Sequence, residues 1–368
     1  MSVGIFDYLI WRGDVPIEQA PFNEVDGAIL ARLSYLPFEH IVSVRSAEPI
    51  RLAYAAEELI ALPEFEKRVL QKEDAELVRR LSESARFREM QIIDFAAKTD
   101  AETQTQFFAA SVRINDGCVC VCFRGTDNTL IGWREDFNMG FVCPVPAQSL
   151  AAQYLERIAA ANTSDKIIVT GHSKGGNLAV YASAFCKASV RKRIETVYNY
   201  DGPGFDGKVL LYDGYNDVRS RIKTYVPQFS VVGMLLGHEE TYTIVKSERI
   251  GIMQHDIYSW QAERDRFVHL DTISNGSKFI DYTLKEWLAD MDYKQREKFV
   301  DALFTVINET NVSTLKEFND NFSDNARSVL KSVKNLDDTT GKAVIKAVVL
   351  LAKSAGSGFD KVRRDKKN

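Results

Sequence analysis

Long apolar runs are missing from this 368-residue chain. A membrane-spanning helix needs about 18 or more consecutive apolar residues. The best stretch, Ala343 to Ala352, is short and is interrupted by Lys346. The start, MSVGIFDYLIWRGDVP, has no basic segment followed by an apolar core, so it does not read as a secretory signal. Basic excess is also absent. The net charge is -4 and the pI about 5.9, which argues against a nucleic-acid binder. Cysteine is sparse, with five in the chain. Cys118, Cys120 and Cys122 alternate in DGCVCVCF; on one strand they share a face and are not placed to bridge. No second cluster with ligand spacing accompanies them, so the expectation is reduced, packed thiols and no metal. Internal repeats and low-complexity tracts are lacking too. With 45% hydrophobic and 27% charged residues, the composition is that of a soluble globular protein, expected in the cytoplasm.

Residues 1–90 read as a helical segment packed on a core. Asn23 is placed to cap a segment with Val25, Ile29, Leu30, Leu33 and Leu36 at helical spacing. Pro63-Glu64 is a second helix opening, ahead of a charge-rich stretch. After Met90 the pattern changes. FFAASVRI (107–114) and CVCVCFRG (118–125) read as strands joined by an Asn115-Asp116-Gly117 turn. AAQYLERIAAA (151–161) reads as a helix, DKIIVTGHS (165–173) as a strand, and 175–190 as a helix. IETVYNYDG (194–202), RIKTYVP (221–227) and TYTIVKS (241–247) are further strands. Alternating strand and helix predicts an α/β core over 91–275 with a mainly parallel sheet covered on both faces. From 276 to 368 amphipathic helices return, ending in a tail where 361–368 hold five basic groups and one acid. A docked helix with a solvated tail is the simpler reading. Weak contact with an anionic membrane surface through that tail is the alternative.

The chemistry concentrates in Gly171-His172-Ser173-Lys174-Gly175-Gly176. A β-branched strand precedes it and a helix follows. In that context G-x-S-x-G is a sharp turn that exposes a serine, with Gly171 and Gly175 relieving backbone clashes. The Lys174 amide then opens a helix, where N–H groups are available to a developing oxyanion. A phosphate loop is excluded by order, because that motif requires Gly-Lys-Ser/Thr and this chain has Ser-Lys-Gly. Ser173 is therefore the expected nucleophile of a serine hydrolase.

A second segment, FRGTDNTLIGWREDFNM (123–139), follows a strand and precedes the elbow. In both segments the chain resembles the class 3 lipases. It more closely resembles an uncharacterised bacterial lipase-like group with GHSKGGNLA at the elbow and DGPGF after the next strand. The resemblance covers roughly residues 90–270 and implies the α/β-hydrolase fold. It further implies that Thr126 supplies a second oxyanion donor beside Lys174 and that Asp127 to Pro144 form a lid or wall. Trp133 and Asp136 match structural residues of that family, and Arg124 is expected in a buried salt bridge.

The base must be a histidine, which titrates near neutrality without perturbation. In this fold the chain order is serine, acid, histidine. His255, in MQHD, resembles the late histidine loop of the lipases. His238 is the alternative base; His269 reads as structural, and His172 as packed beneath the turn. The acid departs from the lipase pattern, which places an aspartate near Ser230. Ser230 cannot carry a negative charge. Asp201, ending the strand after the elbow strand, is the substitute, unless it caps the Gly202-Pro203-Gly204 turn. Glu239 and Asp256 stay open. The function expected is a carboxylester or lipid esterase that needs no cofactor. An impaired relative serving as a binding or scaffold module, and an acyltransferase or peptidase on the same triad, are the alternatives. The expected partner is a small ester or lipid substrate.

Overall fold

A computed structural model describes residues 3–273 except 42–47, 128–134, 136–137, 140–142, 206, 231 and 234–236. The expected C-terminal helical extension with its basic tail, and Trp133 and Asp136, lie outside the described residues.

The strands, in chain order, are β1 (Ile50–Arg51), β2 (Gln91–Asp100), β3 (Thr105–Asn115), β4 (Cys118–Phe123), β5 (Lys166–His172), β6 (Ile194–Tyr200), β7 (Ile222–Pro227) and β8 (Tyr242–Val245). Short pieces follow: β9 (Ala262–Glu263), β10 (Arg266–Phe267) and β11 (His269–Leu270). The main sheet runs β1-β2-β3-β4-β5-β6-β7-β8-β11. Strands β4 to β8 are parallel, and the pairs β1–β2, β2–β3, β3–β4 and β8–β11 are antiparallel.

The parallel strands follow one another in sequence order. Crossovers of a single hand then place their helices on one face. Pro146–Ala161, Lys174–Phe185 and Asp213–Arg219 pack there, through Leu155, Leu178 and Tyr215, on Val121, Val169 and Val197. The opposite face, with Cys120, Cys122, Tyr198 and Tyr200, is covered by the N-terminal helices. The helix Glu24–Leu33 lies on β4, β5 and β6. Its start is set by Asn23, whose Oδ1 accepts from the amides of Val25 (2.9 Å) and Asp26 (3.2 Å), while Asp26 returns a bond to the Asn23 amide. A mainly parallel sheet between helical layers, with a strand–serine–helix turn at its centre, is the α/β-hydrolase fold.

Local differences have local causes. β2 lacks clean alternation in the sequence because its register with β3 shifts between Ile92 and Asp94. The helix expected from Pro63-Glu64 is a single turn, Phe65–Arg68, since Glu64 is left-handed at φ 55; the charged helix is Lys72–Glu83. The helix expected over 175–190 breaks after Phe185 and resumes as Ala188–Arg191, because Cys186 is extended. Among the described residues no helix is long and apolar enough to cross a membrane.

Candidate active site

Sheet register brings the chemistry to one edge. Phe123 pairs with Gly171, His172 with Tyr200, and Tyr200 with Tyr225. The segments leaving β4, β5, β6 and β7 therefore emerge side by side, at the carboxyl ends of parallel strands where open α/β sheets form their sites. Thr126, Ser173, Asp201 and Ser230 all belong to these exits.

Ser173 sits between β5 and the helix Lys174–Phe185 at φ 59, ψ -133. Non-glycine residues rarely adopt such a backbone, and holding one costs on the order of 1–3 kcal/mol. The turn is held by the Ser173 amide on the Tyr200 carbonyl (2.9 Å) and by the Gly176 amide on the Ser173 carbonyl (2.8 Å). The flanking glycines are required by close approach. A Cβ on Gly171 would lie 2.0 Å from the Gly175 carbonyl oxygen, and one on Gly175 2.2 Å from that of Phe123.

Asp201 follows β6 with φ 51, in the left-handed region that aspartate tolerates better than most residues. It is fully buried. Its Oδ2 lies 2.6 Å from His255 Nδ1, while its Oδ1 accepts from the Ser230 hydroxyl (2.5 Å) and the Gly233 amide (3.2 Å). The turn at Gly202 is served by Asn199, whose Oδ1 accepts from the Gly202 amide at 3.0 Å. The Asp201 carboxylate thus faces three groups able to donate to it, His255 Nδ1 among them.

His255 ends the 3-10 turn Gly251–His255. Its loop is tied down on both sides. Gln254 accepts from the Phe229 amide and, at its carbonyl, from Trp260 Nε1, both at 2.8 Å. Arg249 pairs with Asp256 at 2.5 Å, and the Tyr258 hydroxyl bonds Asp74 at 2.7 Å. The His255 ring lies 4.6 Å, centroid to centroid, from that of His172, the residue before Ser173.

The remaining candidates sit elsewhere or act differently. His238 faces acceptors at both nitrogens, Glu240 Oε1 at 2.9 Å and the Gly233 carbonyl at 2.8 Å, so no ring lone pair is turned to a substrate. Burial raises the Glu240 carboxyl, but hydrogen bonds from His238, Tyr215 and Thr224 outweigh it and hold it down to about 2. His238 thereby backs the Gly233 turn whose amide reaches Asp201. Glu239 pairs with Arg219 at the surface, and His269 bonds Glu24 at 2.8 Å. Asp256 is engaged by Arg249.

Arg124 bonds the carbonyls of Ser34 (3.0 Å) and Tyr35 (2.9 Å), and its guanidinium lies over Phe108. The Gly125 amide donates to the Tyr35 hydroxyl at 3.0 Å, which fixes the approach to Thr126. Lys174 is the first residue of its helix. Its side chain is buried and bonds the Gln106 carbonyl (2.9 Å) and Glu135 (3.0 Å). Glu135 also accepts from the amides of Gln106 (3.1 Å) and Ala147 (3.0 Å).

Sequence reasoning passed over three contributors: Tyr35, the Lys174–Glu135 pair and the hydroxyl of Ser230. Ser230 was singled out for its lack of charge, and its value as a donor follows only once Asp201 faces it. Nothing near Tyr35 in the sequence connects it to Arg124, Gly125 and His172, 89 to 137 positions away.

The chain belongs to the Mbeg1-like family, whose profile matches residues 81–305. No curated protein matches it. Among solved structures it is similar to lipase II from Rhizopus niveus, at 14% identity over 67% of this chain and 87% of that one, with a TM-score of 0.37. A lipase from Rhizopus microsporus var. chinensis matches at 15% identity over 69% and 81% of the two chains, with a TM-score of 0.37. A triacylglycerol lipase from Penicillium expansum matches at 11% over 51% and 78%, with a TM-score of 0.33.

Proposed function

We propose that the protein is a serine hydrolase, a carboxylester or lipid esterase working through an acyl-enzyme on Ser173. The observation that carries this reading is the His255–Asp201 pair at 2.6 Å, with Asp201 on the strand exit beside a strained Ser173. Asp201 holds the Nδ1–H tautomer of His255, leaving Nε2 to accept a proton. The Ser173 hydroxyl attacks the ester carbonyl as its proton passes to His255 Nε2. The amides of Lys174 and Thr126 hold the oxyanion. Collapse returns the proton from His255 to the departing alcohol and leaves the acyl group on Ser173. Water, deprotonated by the same imidazole, then releases the acid.

The carboxylate of Asp201 favours an intact triad over an impaired scaffold protein, since it replaces the charge missing at Ser230. It also departs from the lipase pattern by one strand, which sets this site apart from the class 3 arrangement that its sequence resembles. Transfer of the acyl group to another nucleophile uses the same residues. A fluorophosphonate probe should label the folded chain at neutral pH, and Ser173→Ala should abolish labelling and hydrolysis of a short-chain p-nitrophenyl ester. Absence of label on folded wild type would overturn the reading.

A further inference from the structure

His172 occupies the variable position of the elbow and is 5% exposed. Strand periodicity turns it to the face of Thr170, whose hydroxyl bonds the Gly27 carbonyl of the N-terminal layer at 2.9 Å. Both ring nitrogens have partners. Nε2 lies 2.8 Å from the carbonyl oxygen of His255, a group that only accepts, so Nε2 carries the hydrogen. Nδ1 is then the acceptor, and the Tyr35 hydroxyl lies 3.3 Å from it. That hydroxyl is also 3.2 Å from the His172 carbonyl oxygen and accepts from the Gly125 amide at 3.0 Å. Burial, then the neighbouring His255, then Arg32 push the His172 imidazole well below the ordinary histidine range. The ring is neutral at neutral pH: Nε2 donates to the His255 carbonyl, and the single hydrogen of the Tyr35 hydroxyl is shared between Nδ1 and the His172 carbonyl.

We propose that His172, held by the Tyr35 hydroxyl, is a positioning residue that fixes the His255 backbone and ties it to the Gly125–Thr126 end of β4. The inference rests on the hydrolase reading above for what His255 does. It assigns His172 and Tyr35 a task of their own: one hydroxyl and one imidazole span the base side and the oxyanion side of the site. Tyr35 reaches this point because Arg124 holds its carbonyl, and Arg32 lies 4.1 Å over its ring. Deleting the Tyr35 hydroxyl removes the acceptor of the Gly125 amide and a partner of His172 together. Deleting the His172 nitrogens frees the His255 carbonyl.

The test uses the full chain with Tyr35→Phe, His172→Phe, their double variant and His172→Gln, whose amide offers a donor and an acceptor at similar reach. On a soluble ester, His172→Phe should lower kcat about tenfold or more with KM within about twofold, as for an interaction that matters in the transition state. His172→Gln should recover most of that loss. Tyr35→Phe should show a comparable fall, and the double variant should be little worse than His172→Phe, since the two share one network. Tyr35→Phe removes a single oxygen and carries the test should His172→Phe fail to fold. A second readout needs no turnover. The low-field proton NMR signal of the His255 Nδ1–H bonded to Asp201 should persist in wild type and His172→Gln and broaden or vanish in His172→Phe and Tyr35→Phe. Additive losses, or an unchanged signal and kcat in both phenylalanine variants, would overturn the proposal. Wild type that neither hydrolyses nor labels defeats the hydrolase reading alone, and the proton signal still decides the positioning of His255.

Discussion

A buried carboxylate is stable only with donors around it, and Asp201 has three: the imidazole of His255, the hydroxyl of Ser230 and the amide of Gly233. The charge comes from the end of β6, and Ser230, in the loop after β7, supplies a hydrogen bond in its place. Asp201→Asn keeps the shape but no longer favours the Nδ1–H tautomer of His255. It should lower kcat by about 10³- to 10⁴-fold while fluorophosphonate labelling slows in parallel. Ser230→Ala removes one donor from a buried charge, a loss of about 1.5–3 kcal/mol, and should lower kcat more mildly with KM unchanged. Steady-state kinetics of the two variants check both. Equal losses would mean that Ser230 does more than support Asp201.

At the scale of elements, the Lys174–Glu135 pair matters beyond the amide that the sequence drew attention to. Both side chains are about 1% exposed, so the pair is withdrawn from water. Glu135 also ties the β3 amide of Gln106 to the first turn of Pro146–Ala161, so that turn, β3 and Lys174 meet at one carboxylate. Glu135→Gln removes a buried carboxylate that faces the Lys174 ammonium and should cost about 3–5 kcal/mol in urea unfolding. Replacing both by apolar residues, Lys174→Met with Glu135→Leu, should recover much of that stability. A double variant no better than Glu135→Gln would show that the pair holds its surroundings by its hydrogen bonds rather than by charge balance.

For the whole molecule, sequential strand order leaves one sheet face to the N-terminal residues. That face is sealed by buried charge as well as apolar contact. Arg86 and Asp26 are both 0% exposed, and Arg86 also bonds the carbonyls of Val15, Ala20 and Pro21. Tyr35 and Arg32 carry the same layer into the site. The layer and the sheet should unfold together: far-UV circular dichroism and tryptophan fluorescence should give one coincident urea transition. Arg86→Met strands the Asp26 charge and should shift that single transition by about 3–5 kcal/mol without splitting it. Two separated transitions would show a layer that folds on its own.

Ser173, its flanking glycines and the strand-then-helix around them were legible in the sequence, because a sharp strand–serine–helix turn is a local device whose spacing is set by backbone sterics over a few residues. The β4 and β5 strands, the Asn23 cap and the helix Glu24–Leu33 were legible for the same reason. The broken helix near Cys186 and the bulged β2 were not, since there the backbone departs from any regular period. His255 and Asp201 were named from the resemblance and the chain order, but their contact at 2.6 Å, the two acceptors that face His238, and the service of Ser230, Tyr35, His172 and Glu135 appear only in the tertiary structure. Each depends on which strand exits stand side by side and on what the N-terminal layer presents to them, and no spacing along the chain encodes that. The opening of the chain's chemistry at Ser173 is a property of the sequence; the company Ser173 keeps is a property of the fold.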